Sequence, residues 1–156
     1  IFAGLQSTHR FAIRHQCGEK MLEQARAAYT AAGVDALIEP FITDMAEAYG
    51  WADVVIGRAG ALTVAEICAA GVAGILIPLP TAVDDHQARN AEYLQHRGGG
   101  LWFRQDEALA KNITHALSAL AADPQRRLVM AGAARAAAYP QAANDVADLI
   151  VREMAA

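Results

Sequence analysis

The sequence lacks the features that mark several specialised classes of protein. Its 156 residues hold two cysteines, Cys17 and Cys68, with no CxxC motif, which excludes a disulfide-rich scaffold and fits a reducing cytosol. No apolar run approaches the roughly 20 residues of a membrane-spanning helix. Lysine and arginine are not clustered and the formal charge is −4, so we expect no nucleic-acid binding.

The sequence is rich in alanine and in short β-branched runs. The chain contains 37 alanines, which favour helices. Short apolar runs alternate with amphipathic helical stretches, which is typical of an α/β domain in which a helix follows each strand. The predicted strands are 11–15, 36–41, 53–57, 74–78 and 101–104, and the predicted helices are 19–32, 44–48, 63–70, 85–96, 106–122, 124–138 and 142–154.

This alternation predicts a doubly wound, Rossmann-like parallel sheet with helices on both faces. The near-continuous apolar strands at 54–56 and 75–77 agree with burial on both sides of the sheet. In such sheets, ligands bind outside the carboxyl ends of the strands. Candidate functional residues should therefore lie in the loops at 15–18, 41–45, 57–63 and 79–87.

The segment Gly57-Arg-Ala-Gly-Ala-Leu-Thr-Val-Ala-Glu66 leaves two interpretations open. Its two glycines would let the backbone turn sharply off the third strand, and the amides of the next helix would suit an anion such as a diphosphate. Alternatively, Thr63 and Glu66 form a capping box, in which each side chain bonds to the other residue's backbone amide. For Glu66 the two interpretations compete, because a carboxylate folded back on the cap could not also bind ribose hydroxyls.

Two further loops carry polar side chains at predicted helix starts. Phe41 and Met45 could hold a flat base, or they could be core residues with Asp44 as a helix N-cap. Two aspartates precede His86 and Gln87, and adjacent carboxylates at this place favour a helix cap over a metal site, so we expect no metal. Gln87 could bind sugar hydroxyls or be an exposed residue of the first turn. None of these loops holds a recognisable nucleophile–base pair.

Taken in order, these loops resemble the C-terminal domain of one glycosyltransferase family. The resemblance rests on His15-Gln-Cys-Gly18, Glu39-Pro-Phe-Ile-Thr-Asp-Met45, the segment 52–66, and Ile77-Pro-Leu-Pro followed by Asp85-His-Gln-Ala-Arg-Asn-Ala91. Bacterial peptidoglycan glycosyltransferases of this family move N-acetylglucosamine from UDP-GlcNAc onto undecaprenyl-pyrophosphoryl-MurNAc-pentapeptide (lipid I), making lipid II. The resemblance covers nearly the whole chain from about Phe11. It implies the C-terminal domain of a GT-B enzyme, in which two doubly wound domains face each other across a cleft.

The resemblance also implies which residues contact the donor. Ile42 matches a residue whose backbone reads the uracil edge, with Phe41 and Met45 lining the base. Gln87, with His86 beside it, matches the position that contacts hydroxyls of the GlcNAc ring. One segment would wrap the nucleotide, with the diphosphate near its backbone amides and the ribose hydroxyls on the Glu66 carboxylate. This segment is Ala61, Leu62, Thr63, Val64, Ala65 and Glu66.

By the same resemblance, residues 1–156 are the UDP-sugar donor-binding domain of a longer enzyme. A first strand with a glycine-rich turn, and the acceptor domain, are expected outside this chain. The implied reaction is an inverting transfer without metal or cofactor, in which the acceptor's 4-hydroxyl attacks GlcNAc and UDP leaves. No catalytic residue is expected in this chain. The intact enzyme is expected on the cytoplasmic face of the inner membrane, reaching lipid I and the membrane through the missing domain.

Three other interpretations remain open from the sequence. The first is another GT-B enzyme with a UDP-sugar, such as a diacylglycerol galactosyltransferase or a UDP-GlcNAc 2-epimerase. The second is a non-catalytic nucleotide-binding or docking module. The third is a purely structural fragment, in which every loop feature is only a helix cap.

Overall fold

Strands and helices alternate along the residues that the structure, a computed structural model, describes: 1–5, 10–81 and 83–154. In this part of the chain no helix is both long enough and apolar enough to cross a bilayer. Short 3₁₀ turns cover Phe2–Gly4, Glu19–Met21 and Val83–Asp85. The strands are β1 (Arg14–Gln16), β2 (Leu37–Glu39), β3 (Val54–Gly57), β4 (Ala73–Leu76) and β5 (Gly100–Trp102), and the α-helices are α1 (Leu22–Ala31), α2 (Met45–Trp51), α3 (Ala61–Ala70), α4 (His86–His96), α5 (Leu109–Ala122), α6 (Pro124–Ala136) and α7 (Ala142–Met154).

The strands pair in parallel, as predicted, but they form two sheets. β1 pairs with β2, and β3, β4 and β5 form a second sheet in that order. Among the described residues, no strand pairing joins β1 or β2 to the second sheet.

The core lies on both faces of β4. All four residues of this strand are buried, and its three side chains are divided between two apolar clusters on opposite faces. Leu76 joins a cluster with residues of α3 and α4, including Ile67 and Leu94. Ala73 and Ile75 join a cluster with residues of α5. Burial of β4 on both sides, which the sequence predicted, is confirmed. The same prediction for 54–56 is wrong, because β3 lies at the edge of its sheet, where Val54 and Val55 are half-buried and Ile56 is 37% exposed.

The helix ends follow local sequence signals at several places. Gly33 and Gly71 adopt left-handed conformations, with φ of 63° and 68°, at the carboxyl ends of α1 and α3 as predicted. The Asp44 carboxylate accepts a hydrogen bond from the Glu47 amide (2.8 Å), so Asp44 is the N-cap of α2. Pro124 lies in the first turn of α6, also as predicted.

The glycines before β5 allow two elements to approach closely. Gly98 has a φ of 78°, which is consistent with the predicted chain reversal. A Cβ on Gly99 would lie 2.8 Å from Ala134 Cα and 2.8 Å from Leu94 Cδ1. The absence of a side chain at Gly99 is therefore what lets α6 and α4 pack against the start of β5.

We predict opposite stability effects for alanine at two glycines. Gly99→Ala forces backbone or side chains apart in a packed region and should lower the free energy of unfolding by about 1–3 kcal/mol. Gly132→Ala, the matched control, places a methyl group in open space within α6 and should raise it by up to about 1 kcal/mol. Urea unfolding measures both values. An unchanged midpoint for Gly99→Ala would contradict the packing described here.

Candidate functional site

The loops that follow β3 and β4 lie together at the carboxyl edge of the second sheet. The Asn90 side chain on α4 donates a hydrogen bond to the Ala59 carbonyl (2.9 Å). The Arg58 guanidinium donates to the carbonyls of Ile77 (3.3 Å) and Pro78 (3.4 Å). α3 also packs against both α2 and α4. The beginning of α3 is therefore fixed between the residues predicted to contact a base and those predicted to contact a sugar.

α3 begins at Ala61, two residues earlier than predicted, and this start rules out the capping box. Gly60 is the N-cap and has no side chain to cap the helix. Helical bonding starts with the Val64 amide, which donates to the Gly60 carbonyl (3.0 Å). The amides of Ala61, Leu62 and Thr63 precede that bond, so the helix ladder does not use them. The positive end of the helix dipole and these donors face the same edge.

The two glycines of this loop do not act as predicted. Gly60 has a φ of −63°, and neither Gly57 nor Gly60 has a positive φ. Any residue can adopt these conformations, so the turn off β3 does not require glycine. The Thr63 side chain lies over the loop, with Oγ1 3.8 Å from the position that a Cβ on Gly60 would take. The missing side chains leave space beside the start of α3 rather than supplying a special backbone conformation.

Glu66 is held by a side chain from another helix. The Tyr49 hydroxyl on α2 donates a hydrogen bond to Glu66 Oε2 (2.8 Å). The Tyr49 ring packs against the core cluster that contains Ile67, and Glu66 itself is exposed. Burial, together with the hydrogen bond to the carboxylate, raises the pKa of Tyr49, so its hydroxyl remains a donor throughout the neutral range.

Phe41 and Met45 flank the start of α2, and Phe41 is not a core residue. Phe41 is 66% exposed and Met45 is half-buried, whereas Ile42 between them is 7% exposed. The aromatic face of Phe41 is therefore open to solvent at the carboxyl end of β2. An exposed ring in this position is suited to stacking with a planar ligand.

The Ile42 amide, which was predicted to contact a base, donates a hydrogen bond to the side chain of Gln16, a partner that the sequence did not predict. Gln16, the last residue of β1, accepts this hydrogen bond through Oε1 (2.8 Å). In the described structure the amide of Ile42 is thus occupied by a side-chain carbonyl. A ligand that accepts from the same amide must displace Gln16.

His86 and Gln87 form the first turn of α4, but the aspartates before them do not cap it. Asp85 has a φ of 53° and makes no side-chain cap, and its carboxylate pairs with Arg104 (3.1 Å). Gln87 Oε1 accepts from the Leu79 amide (3.0 Å), which fixes the side chain against the loop after β4 and leaves its NH₂ group outside that bond. Of the loop 79–87, residue 82 lies outside the described residues.

Arg14 is a further residue that the sequence interpretation missed. Its guanidinium bonds to Glu39 (2.6 Å) at the end of β2 and also to Glu47 on α2. The two carboxylates raise the pKa of Arg14 through hydrogen bonding. This bridge fixes α2, and with it Met45 and Tyr49, relative to the first sheet.

Other parts of the described structure offer weaker candidates. Within these residues, no group of three or more His, Cys, Asp or Glu side chains is placed to hold a metal ion. A concavity of about 500 Å³ lies beside β5 and α6 and is lined in part by Gln95, Gly98 and Arg126. None of the predicted site residues lines it.

Comparison with known protein families gives one match over most of the chain. The family described as "Glycosyltransferase family 28 C-terminal domain" matches residues 3–150. This chain is also similar to curated proteins named UDP-N-acetylglucosamine--N-acetylmuramyl-(pentapeptide) pyrophosphoryl-undecaprenol N-acetylglucosamine transferase. The one from Xanthomonas euvesicatoria is 56% identical over 141 residues, which are 90% of this chain and 33% of that protein. The one from Xylella fastidiosa is 55% identical, over 90% of this chain and 38% of that protein.

Solved structures agree with this match. The crystal structure of Acinetobacter baumannii MurG is similar with a TM-score of 0.87 and 38% identity, and the match covers 97% of this chain and 46% of that one. The predicted fold, a Rossmann-like C-terminal domain of a GT-B glycosyltransferase, is therefore confirmed. The chain spans about a third of the length of the curated relatives that it matches.

We predict that the two cysteines differ in reactivity. Cys68 is buried in α3, and burial raises the pKa of its thiol, so less thiolate is present at any given pH. Cys17 is half-buried after β1, where its thiol donates to the Glu39 carbonyl (3.6 Å). At pH 8, a chromogenic disulfide reagent should therefore modify Cys17 first and Cys68 only on unfolding.

A Cys17→Ser variant is the control for this assignment and should show no fast-reacting thiol in its native state. Equal reaction rates for both thiols in the folded chain would contradict the burial of Cys68.

Proposed function

The chain belongs to the family of the glycosyltransferase family 28 C-terminal domain, and from that premise we propose that it binds the donor in a longer glycosyltransferase. The proposed reaction moves N-acetylglucosamine from UDP-GlcNAc to undecaprenyl-pyrophosphoryl-MurNAc-pentapeptide, a step of peptidoglycan synthesis. The names and 54–56% identity of the curated relatives support this assignment. The observation that carries it is the start of α3, where three backbone amides lie outside the helix ladder and Asn90 of α4 bonds to the preceding loop.

The proposed diphosphate position is the N-terminus of α3. The amides of Ala61, Leu62 and Thr63, together with the Thr63 hydroxyl, would donate to the diphosphate oxygens. When the bond to the sugar breaks, negative charge grows on the leaving UDP. Donors that are already oriented lower the energy of that state without reorganisation, so the role of this chain in catalysis would be to stabilise the leaving group.

The proposed base position lies between Phe41 and Met45. The uracil would lie against the exposed Phe41 ring, and the backbone of Ile42 would read its edge. Because the Ile42 amide donates to Gln16 Oε1, binding of the base at this amide requires the Gln16 side chain to rotate away. The glutamine oxygen accepts the same hydrogen bond that a uracil carbonyl would accept, so the exchange conserves one hydrogen bond to the amide.

The proposed ribose and sugar contacts come from α3 and α4. Glu66 would accept hydrogen bonds from the ribose hydroxyls. Gln87, oriented through its bond to the Leu79 amide, would donate from its NH₂ group to a GlcNAc hydroxyl, with His86 beside it. These contacts would fix the anomeric carbon relative to an incoming hydroxyl, which is the positioning component of catalysis. The attacking acceptor and any catalytic base would belong to the rest of the longer protein.

The lack of pairing between β1 and β3 in the described residues belongs to the same proposal. In the doubly wound order the first strand lies between the second and the fourth, and β1, β2 and β3 would be the second, third and fourth strands. We propose that residues 1–156 are one domain of the longer protein and that a parallel strand from outside this chain lies between β1 and β3, completing the doubly wound order. The longer protein would work at the cytoplasmic face of the membrane, where the undecaprenol acceptor is anchored, with membrane contact made by its other domain. The unpaired cysteines fit that compartment.

Calorimetric titration of this chain tests the donor-binding role. We expect UDP and UDP-GlcNAc to bind and GDP to bind much more weakly, because the site at Ile42 accommodates a pyrimidine edge. A sample that is folded by circular dichroism and binds neither uridine ligand would contradict the proposal. Equal binding of UDP and GDP would contradict the base position while leaving the diphosphate position supported.

A substitution at Glu66 tests the ribose contact. Glu66→Gln should raise the Kd for UDP by about 10-fold to 100-fold, because a hydrogen bond to a charged group contributes about 1.5–3 kcal/mol. Glu153→Gln removes an exposed carboxylate on α7 and is the matched control, with no expected change. An unchanged Kd for Glu66→Gln would exclude Glu66 from the ribose site.

A further inference from the structure

We propose that Tyr49 is a positioning residue for nucleotide recognition, acting by holding the Glu66 carboxylate in the orientation that receives the ribose hydroxyls. This inference rests on the proposed donor-binding function. The sequence pattern gives no indication of it, because Tyr49 lies on α2 and Glu66 on α3, 17 residues apart.

Tyr49 and Glu66 differ in conformational freedom, and this difference indicates which residue orders the other. The Tyr49 ring packs on the core cluster that includes Val64 and Ile67, so its hydroxyl is placed by the core. Glu66 is exposed and has three rotatable side-chain bonds, so in the absence of a partner it would populate many rotamers. The 2.8 Å hydrogen bond from Tyr49 therefore orders Glu66, and not the reverse.

The geometry of the carboxylate leaves room for a ligand. Tyr49 donates to Oε2, so Oε1 is outside this bond. A carboxylate offers about four acceptor positions, and the two hydroxyls of a ribose need two of them. Ordering the carboxylate before the nucleotide arrives reduces the conformational entropy that binding would otherwise cost.

The face of α2 that carries Tyr49 also carries Met45, which lies at the proposed base position. Met45 and Tyr49 are four residues apart on one helix and so lie on the same face. Arg14 fixes this helix through Glu47. One rigid element would thus set the distance between the base contact at Met45 and the ribose contact at Glu66.

The test compares two nucleotides on the full chain by calorimetry: UDP, and 2′,3′-dideoxyuridine 5′-diphosphate, which lacks both ribose hydroxyls. We expect Tyr49→Phe to weaken UDP binding about fivefold to tenfold and to leave binding of the dideoxy nucleotide unchanged. The phenylalanine ring keeps the packing of tyrosine, and a thermal unfolding midpoint close to that of the parent confirms that the variant is folded. Tyr93→Phe, at another tyrosine packed on the same cluster, is the matched control and should change neither affinity.

A double variant separates positioning from a direct contact. In a Glu66→Ala background, Tyr49→Phe should cause no further loss of UDP affinity, because no carboxylate remains to be oriented.

Several outcomes would overturn the inference, and they are distinguishable. Equal loss of affinity for both nucleotides would mean that Tyr49 only joins α2 to α3. No change for UDP in Tyr49→Phe would mean that Glu66 needs no orientation. If the parent chain binds UDP and the dideoxy nucleotide equally, no ribose contact exists to be positioned, although donor binding stands. If the parent binds neither nucleotide, the proposed function fails together with the inference.

Discussion

Burial of β4 between two neighbouring parallel strands is the constraint on which the rest of this domain depends. Its side chains are divided between an apolar cluster with α3 and α4 and another with α5, so helices must cover both faces of the sheet. Because β3 and β4 run in the same direction, the chain leaves both strands at one edge. α3 and α4 therefore begin close together at that edge. The grouping of amides, carboxylate and amide side chain at the start of these helices follows from the packing of the core.

The sequence was sufficient for the order of the elements and for most of the helix ends. Gly33, Asp44 and Gly71 act as their local chemistry predicts, because the signals involve only a few neighbouring residues. The start of α3 shows the limit of that reasoning. Thr63 and Glu66 have the spacing of a capping box, but the helix begins at Ala61 and Glu66 bonds to Tyr49. A tertiary contact and an earlier N-cap decided the outcome, and neither is visible in a four-residue pattern.

The contacts that organise the candidate site connect residues far apart along the chain. Gln16 and Ile42 are 26 residues apart, and Arg14 reaches Glu39 and Glu47 across 25 and 33 residues. Sequence reasoning could place the participants at the carboxyl ends of strands, but the choice of partner depends on the register between β1 and β2 and on how α2 packs. For this reason the resemblance named Phe41, Ile42, Glu66 and Gln87, whereas the structure was needed to find Gln16 and Tyr49.

Backbone amide NMR of the chain during titration with UDP tests most directly the claim that the nucleotide lies where α3 begins. We expect the largest chemical-shift changes at the amides of Ile42, Ala61, Leu62 and Thr63, since these lie at the proposed base and diphosphate positions. Amides of α5 and α6 should change little. Chemical-shift changes concentrated around the concavity lined by Gln95, Gly98 and Arg126, with none at the start of α3, would contradict this position of the nucleotide.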